Sequence, residues 1–233
     1  MGAAQCGWLL PMHRSIGRLG GVRTHSSAPP KALCAAVNDR SMDDAVAAAF
    51  KDASRYLVES VRLVPDMSWD QPGLGSWTVR ELVAHANRGQ TTVEEYLRHP
   101  QSPQPSDSGY FTEEAIAARG RQAVLALADN PAGAVAAASA AVTALVTHSP
   151  PDATIGSPAG TMTLAQYLPS RVAELTIHAL DIVQAVGAEL PAPATALQQS
   201  LAFVAHRAAS RSGQDVLLAL TGRAHLPDGY SVY

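Results

Sequence analysis

Cysteine is scarce in this chain, and its placement excludes whole classes of protein. The sequence has two cysteines, Cys6 and Cys34, and none follows Met42. A disulfide scaffold is therefore excluded for the main part of the chain, and so is a catalytic thiol that the protein itself supplies. Any thiol chemistry would have to use a thiol from outside.

Aromatic residues, charge and long apolar runs are limited as well. Aromatic residues make up 5% of the chain against a hydrophobic share of 47%, and alanine is abundant, which favours closely packed helices over a β-sandwich. The formal net charge is −3 and no basic face is evident, so we expect no nucleic-acid partner. No apolar stretch approaches the roughly 18–20 residues of a membrane-spanning helix, so we expect no membrane partner and a cytoplasmic protein.

Residues 1–41 differ from the rest of the sequence, because glycine, serine and proline interrupt every apolar run there. The segment is either a disordered N-terminal extension or lies before a true start of translation at Met42, and we favour the second interpretation. Its arginine and serine content gives a weaker indication of a transit peptide. We expect the folded part of the chain to begin near Met42.

Apolar periodicity and capping signals predict an all-α protein. The pattern predicts helices over 42–63, 78–99, 112–128, 132–146, 163–187 and 194–209. Thr78-x-x-Glu81 and Thr163-x-x-Gln166 each predict a capping box. Pro169 is expected to bend the fifth helix or to delay its start. Residues 155–160 are expected to form a loop, residues 100–110 a linker, and only residues 216–220 give any indication of a strand.

Three polar side chains on two predicted helices could form a metal site. Glu174 and His178 are four residues apart, so they lie on one helix face about one turn apart. His85, on the second predicted helix, would complete a set of two histidines and one carboxylate. Such a set suits Zn²⁺ or a similar divalent ion and leaves coordination positions open. Alternatively, His85 is a hydrogen-bonded core histidine, and the Glu–His pair is a surface contact.

Asp181 lies within reach of the same face, three residues after His178. It could accept a hydrogen bond from the imidazole nitrogen that does not bind the metal and so fix the ring. Its alternative role is that of a partner for Arg171. No phosphate-binding loop, dinucleotide-binding glycine pattern or serine nucleophile motif is present elsewhere in the sequence.

Two segments resemble the signature segments of the mycothiol-dependent maleylpyruvate isomerase family, which belongs to the DinB-like helical bundles. They are Gly75-Ser-Trp-Thr-Val-Arg-Glu-Leu-Val-Ala-His85 and Arg171-Val-Ala-Glu174-Leu-Thr-Ile-His178-Ala-Leu-Asp181. The resemblance implies a bundle of four main helices, with additional short helices and a short C-terminal appendage. It also implies that His85, Glu174 and His178 bind a divalent metal, with zinc favoured.

The C-terminal part departs from this family. Members with isomerase activity carry a separate C-terminal domain that contributes an arginine to catalysis. Here the segment Leu220-Thr-Gly-Arg223 is similar to that arginine-bearing stretch, but only a short tail surrounds it. The resemblance implies a catalytic role for Arg223, whose guanidinium could hold a substrate carboxylate bidentately. Alternatively, Arg223 is a surface residue near the terminus.

These observations predict a metal-binding helical bundle over residues 42–190. Residues 191–233 are expected to add a C-terminal helix and a tail that complete or abbreviate a second domain. The expected function is that of a metal-dependent transferase or isomerase that uses mycothiol or a similar thiol as cosubstrate and a small-molecule electrophile, as a monomer or homodimer. The metal would lower the pKa of the thiol and so supply a nucleophile. The alternatives are a non-catalytic metal-binding or stress-response protein, and a helical interaction module without a metal.

Overall fold

A computed structural model of the chain describes residues 39–100, 110 and 112–232. The predicted N-terminal segment up to residue 38 lies outside the described residues, and so does most of the predicted linker, residues 101–109. The cysteines, Cys6 and Cys34, fall in the same undescribed segment. The account that follows concerns the described residues alone.

Helices dominate the described ranges, so the predicted all-α, DinB-like class is confirmed. In chain order they are α1 Asp39–Arg62, α2 Val79–Arg98, α3 Glu113–Val124, α4 Pro131–His148, α5 Leu164–Ala185 and α6 Ala194–Leu220. Every predicted helix is present. α1 begins slightly before Met42, and α6 continues to Leu220 across a kink at Ser212, where the backbone leaves helical geometry. The indication of a strand at residues 216–220 is therefore wrong, because these residues belong to α6.

Four of these helices form the bundle. α1 and α2 each pack against both α4 and α5, so that α1 and α2 lie on one diagonal of the bundle and α4 and α5 on the other. α3 packs on α2, while α6 packs on α5 and α1. α5 is buried along most of its length, which places its side chains at the centre of the molecule. The division of the chain at residue 190 stays a prediction.

Both predicted capping boxes are present and define the starts of α2 and α5. The backbone amide of Glu81 donates to Thr78 Oγ1 at 3.2 Å, while the Thr78 amide donates to Glu81 Oε2 at 2.9 Å. The amides of Gln166 and Thr163 make the same reciprocal pair at 3.2 and 2.9 Å. At the N-terminus of each of these two helices, two backbone N–H groups that have no carbonyl partner within the helix are therefore satisfied. α5 begins directly after its cap, so Pro169 does not delay its start.

A β-hairpin replaces the loop that we expected before α5. Strand β1 (Thr154–Ser157) pairs antiparallel with β2 (Gly160–Thr163), and Ser157 and Gly160 face each other across a two-residue turn. Gly160 has a φ of 112°, a conformation that side chains disfavour. The strands are too short to show a clear alternation in sequence. Burial of Ile155 in the core accompanies the pairing and helps to explain it.

The helix α4 corrects another expectation. Over 18 residues its mean hydropathy is 1.3, so by length and composition it could cross a membrane, and 28% of that stretch is buried. We expected no apolar stretch of this length. The apolar character of α4 comes mostly from alanine and valine rather than from large residues. A single helix of this kind is weak evidence for a membrane span, since core helices of soluble proteins meet the same criteria.

We predict that Thr78→Ala lowers the free energy of unfolding by about 1 kcal/mol, because the first turn of α2 loses its side-chain cap. Thr147→Ala is the matched control, because its exposed hydroxyl donates to a carbonyl within α4 and caps nothing. Its effect should stay within about 0.5 kcal/mol. Urea unfolding followed by circular dichroism measures both, and equal losses in the two variants would contradict the capping argument.

Candidate metal centre

The site lies between α2 and α5, which run antiparallel across the core. Their contacts extend from the Tyr167 hydroxyl, which donates to Thr92 Oγ1 at 3.3 Å, to the rings of His85 and His178, whose centroids lie 4.9 Å apart. Residue numbers therefore rise along α2 as they fall along α5. This arrangement brings the middle of α5 opposite the first half of α2, where Glu174 can face both histidines.

The three predicted residues meet around one carboxylate oxygen. His85 Nε2 lies 3.0 Å from Glu174 Oε1, and His178 Nε2 lies 3.6 Å from the same oxygen. One ligand atom from each residue falls within 4.8 Å of the other two. Tetrahedral zinc with bonds of about 2.0–2.1 Å separates its ligand atoms by about 3.3 Å. The separations of 3.0 and 3.6 Å between the imidazole nitrogens and Glu174 Oε1 are close to that spacing.

The site is buried except at one edge. The side chains of Glu174 and His178 are 4% and 2% exposed, whereas those of His85 and Asp181 are 13% and 22% exposed. The cluster is therefore least shielded from solvent beside His85 and Asp181. Trp77 covers part of this edge, since its ring centroid lies 4.6 Å from that of His85.

Asp181 fixes the ring of His178, as the sequence predicted. His178 Nδ1 donates to Asp181 Oδ2 at 3.0 Å, which turns Nε2 towards Glu174. A carboxylate in this position holds an imidazole in one orientation and strengthens it as a ligand. The expected alternative for Asp181, a pairing with Arg171, is not the contact that the structure shows for it.

The charges in the site depend on burial and on one another. Burial alone would raise the pKa of the Glu174 carboxyl, but the Arg171 guanidinium and the two imidazoles hold that pKa well below its ordinary value. Burial likewise opposes the charged form of His178, but Asp181 and Glu174 outweigh it and raise its pKa to about 9. Burial lowers the pKa of His85, more than Glu174 raises it. Metal ligation requires a neutral imidazole, so an ion that bound here would displace the proton from His178.

One buried atom indicates that the group fits a cation. His178 Nε2 is shielded from solvent and has no hydrogen-bond partner within the described residues, whereas Glu174 Oε2, which has none either, lies 3.7 Å from the Arg171 guanidinium. Leaving such a nitrogen unsatisfied costs about 1–3 kcal/mol. A divalent ion bound by His178 Nε2 and by the Glu174 carboxylate would satisfy the orphaned nitrogen directly. The donor set of two imidazoles and one carboxylate is one that zinc and similar ions accept.

Arg223, the fourth predicted site residue, lies elsewhere. It is exposed in the turn after α6, where its Nη1 donates to the Thr221 carbonyl at 3.1 Å. The structure shows no contact between it and the three clustered residues, and its catalytic role stays a prediction.

Sequence reasoning missed three residues that shape the site. Arg171 lies one turn before Glu174 and 3.7 Å from its Oε2, a spacing that the sequence itself displays. Trp77 stands directly before the cap of α2, but nothing in the local pattern shows that its ring meets His85. Gly89 was also missed, because the closeness of two helices leaves no signal in either one alone.

Gly89 allows α5 to approach α2 closely beside the site. A Cβ atom at this position would lie 3.2 Å from Glu174 Cγ and 3.4 Å from Leu175 Cδ2. The first distance is shorter than an ordinary contact between carbon atoms. Any side chain here would therefore push Glu174 away from its present position.

We predict that Gly89→Ala weakens Zn²⁺ binding about threefold, because Glu174 would have to shift by a few tenths of an ångström, close to the limit of about 0.5 Å that ligand geometry tolerates. Stability should change little, since the gain in helix propensity offsets the contact. In the control Gly120→Ala, the new Cβ would meet only Trp77, at an ordinary 3.8 Å. Competition with a chelating dye measures zinc affinity, and unchanged affinity in Gly89→Ala would show that the close approach does not position Glu174.

Comparison with known proteins agrees with this geometry. A family model described as the mycothiol maleylpyruvate isomerase N-terminal domain matches residues 50–183, more than half of the chain. The match includes α2 and α5 and all three clustered residues. No curated protein and no solved structure matches the chain. The chain belongs to the mycothiol maleylpyruvate isomerase N-terminal domain family.

Proposed function

We propose that this protein is a metal-dependent enzyme that uses an external low-molecular-weight thiol, as a transferase or a cis–trans isomerase. The observation that carries the proposal is the convergence of His85 Nε2, His178 Nε2 and Glu174 Oε1 in a largely buried site. Three protein ligands are typical of catalytic zinc sites, which keep a position open, whereas structural sites close all four. The family supports a thiol related to mycothiol.

Different residues of the chain would hold the metal, orient its ligands and admit the substrates. His85, Glu174 and His178 would hold a divalent ion, with zinc favoured, and Asp181 keeps His178 in its binding orientation. When bound, the ion lowers the pKa of a coordinated thiol and supplies a thiolate near neutral pH. The partly exposed edge at His85 and Asp181 would give the thiol and a small electrophile access, while the apolar residues of α2 and α5 around the cluster would restrict water.

The thiol has to come from outside. No cysteine follows residue 34, and none lies in the described part of the chain. In an isomerase, addition of the thiolate to an activated double bond would turn it into a single bond, which can rotate before the thiol is eliminated again. In a transferase, the thiolate would displace a leaving group or remain attached. Both reactions need the same nucleophile at the same site.

A non-catalytic metal-binding protein is the second candidate. The observation that favours it is the position of Arg223, which lies exposed and shows no contact with the cluster. Without an arginine beside the site, an anionic substrate would lack the anchor that the family resemblance implies. Metal binding is common to both candidates, and thiol-dependent turnover separates them.

We predict that the purified protein binds one equivalent of Zn²⁺ and that His178→Ala weakens this binding by more than about 100-fold, since loss of a ligand exceeds the loss of an outer partner. His148→Ala is the matched control, because this histidine is exposed at the end of α4 and its Nδ1 bonds the Ala144 carbonyl. Metal analysis and competition titration measure both variants. Equal metal content in the two would refute the assignment of the site.

We predict further that the Zn²⁺-loaded protein conjugates or isomerises activated alkenes only when a low-molecular-weight thiol is present. A panel of thiols, including mycothiol, is combined with a panel of electrophiles such as maleyl compounds and aryl halides. Turnover should be lost in His85→Ala and retained in His148→Ala. Turnover that persists without any thiol would contradict the mechanism, and metal binding without turnover would favour the second candidate.

A further inference from the structure

Arg171 is the largest side chain that is fully buried in the described part of the protein. It lies on α5 one turn before Glu174, and its Nε donates to Ser170 Oγ at 3.2 Å. Its guanidinium carbon lies 5.1 Å from the centroid of the Tyr167 ring, within the range of a cation–π contact. Arginine cannot be deprotonated in proteins, so a permanent positive charge lies inside the bundle.

The Glu174 carboxylate divides its two oxygens between this charge and the histidines. Oε2 lies 3.7 Å from Arg171 Nη2, whereas Oε1 lies 3.0 Å from His85 Nε2. Arg171 therefore lies nearest to the carboxylate oxygen that the two histidines do not share. It offsets the charge of Glu174 while leaving Oε1 and both imidazole nitrogens available.

The charges of the ligands and Arg171 add up to a neutral set. Two neutral imidazoles contribute nothing, and the carboxylate and the guanidinium cancel. With a divalent ion bound, Asp181 would supply the remaining negative charge, and the site would keep an excess positive charge. Asp181 is also 22% exposed, so water partly screens its charge. Excess positive charge is unfavourable in a medium of low dielectric constant and is relieved when an anion enters.

We propose that Arg171 is a positioning residue that sets the charge of the site, so that the metal-loaded protein binds a monoanion, such as the thiolate of the proposed reaction. This inference rests on the proposed function, because it takes the three ligands to hold a divalent ion. It differs from a purely structural role, since an apolar side chain could fill the same volume without the cost of burying a charge.

Charge setting and simple packing predict opposite changes in metal affinity. If Arg171 only held Glu174 in place, its loss would weaken metal binding and anion binding together. If it sets the charge, its loss leaves a net negative ligand set that binds a cation at least as tightly as before. The same loss makes the entry of an anion less favourable, because Glu174 is no longer offset.

The test uses Co²⁺, whose visible spectrum reports coordination, and azide as the anion. In Arg171→Gln we expect the Co²⁺ dissociation constant to stay equal or fall, while the azide dissociation constant rises about tenfold or more. Arg171→Lys keeps the charge and should bind azide within about threefold of the parent protein. Arg98→Gln removes an exposed charge at the far end of α2 and serves as the control.

Asp181→Asn provides an independent variant on a partly exposed residue, in case Arg171→Gln does not fold. The asparagine carbonyl can still accept from His178 Nδ1, but one negative charge is gone, so azide should bind more tightly than to the parent protein. Unchanged azide affinity in a folded Arg171→Gln would overturn the inference, and so would a parallel loss of Co²⁺ and azide binding in that variant. If Arg171→Gln does not fold, unchanged azide affinity in Asp181→Asn would overturn it. A parent protein that binds no Co²⁺ would instead refute the proposed function.

Discussion

A carboxylate buried in the centre of a helical bundle is the constraint on which the rest of this structure depends. Glu174 is 4% exposed, and its ionised form persists there only because Arg171, His85 and His178 surround it. Taking an isolated carboxylate out of water would cost several kcal/mol, so none of these partners can be lost without consequence for the others. The His85–Glu174 contact thus joins α2 to α5 inside the bundle.

The bundle supplies what this cluster needs. α5 lies at the centre of the molecule, where its neighbours α1, α2 and α6 surround it and its Glu174 and His178 side chains are buried. α2 brings His85 from an antiparallel direction, and Gly89 lets the two helices come close beside Glu174. His85 itself stays partly exposed, so the cluster meets the surface at the side that α2 contributes.

Much of the fold and of the cluster could be predicted from the sequence, because the signals are local. Capping boxes at Thr78 and Thr163, helical apolar spacing, and a glutamate and a histidine one turn apart each involve neighbouring residues. The link between His85 and α5 came from family resemblance and chemistry, since no local pattern connects them. The contact of Asp181 with His178 and the placement of Glu174 and His178 on one face of α5 followed from spacing along one helix.

Other features could not be predicted, because they depend on how elements meet. The hairpin before α5 has strands too short to reveal alternation, and α4 reaches a high hydropathy through small residues that resemble an ordinary core helix. The ring of Trp77 over His85 and the approach at Gly89 exist only once α2, α3 and α5 are packed. The spacing of Arg171 and Glu174 is apparent in the sequence, but the role of Arg171 depends on which oxygen of Glu174 it faces.

Both helices that carry the cluster start at a capping box. The position of His85 along α2 is therefore set relative to Thr78, and those of Glu174 and His178 along α5 are set relative to Thr163. The loops that precede these two caps lie outside both spacings. A change in the length of either loop would leave the three residues at the same positions along their helices, so the loops could be redesigned without moving the site along α2 or α5.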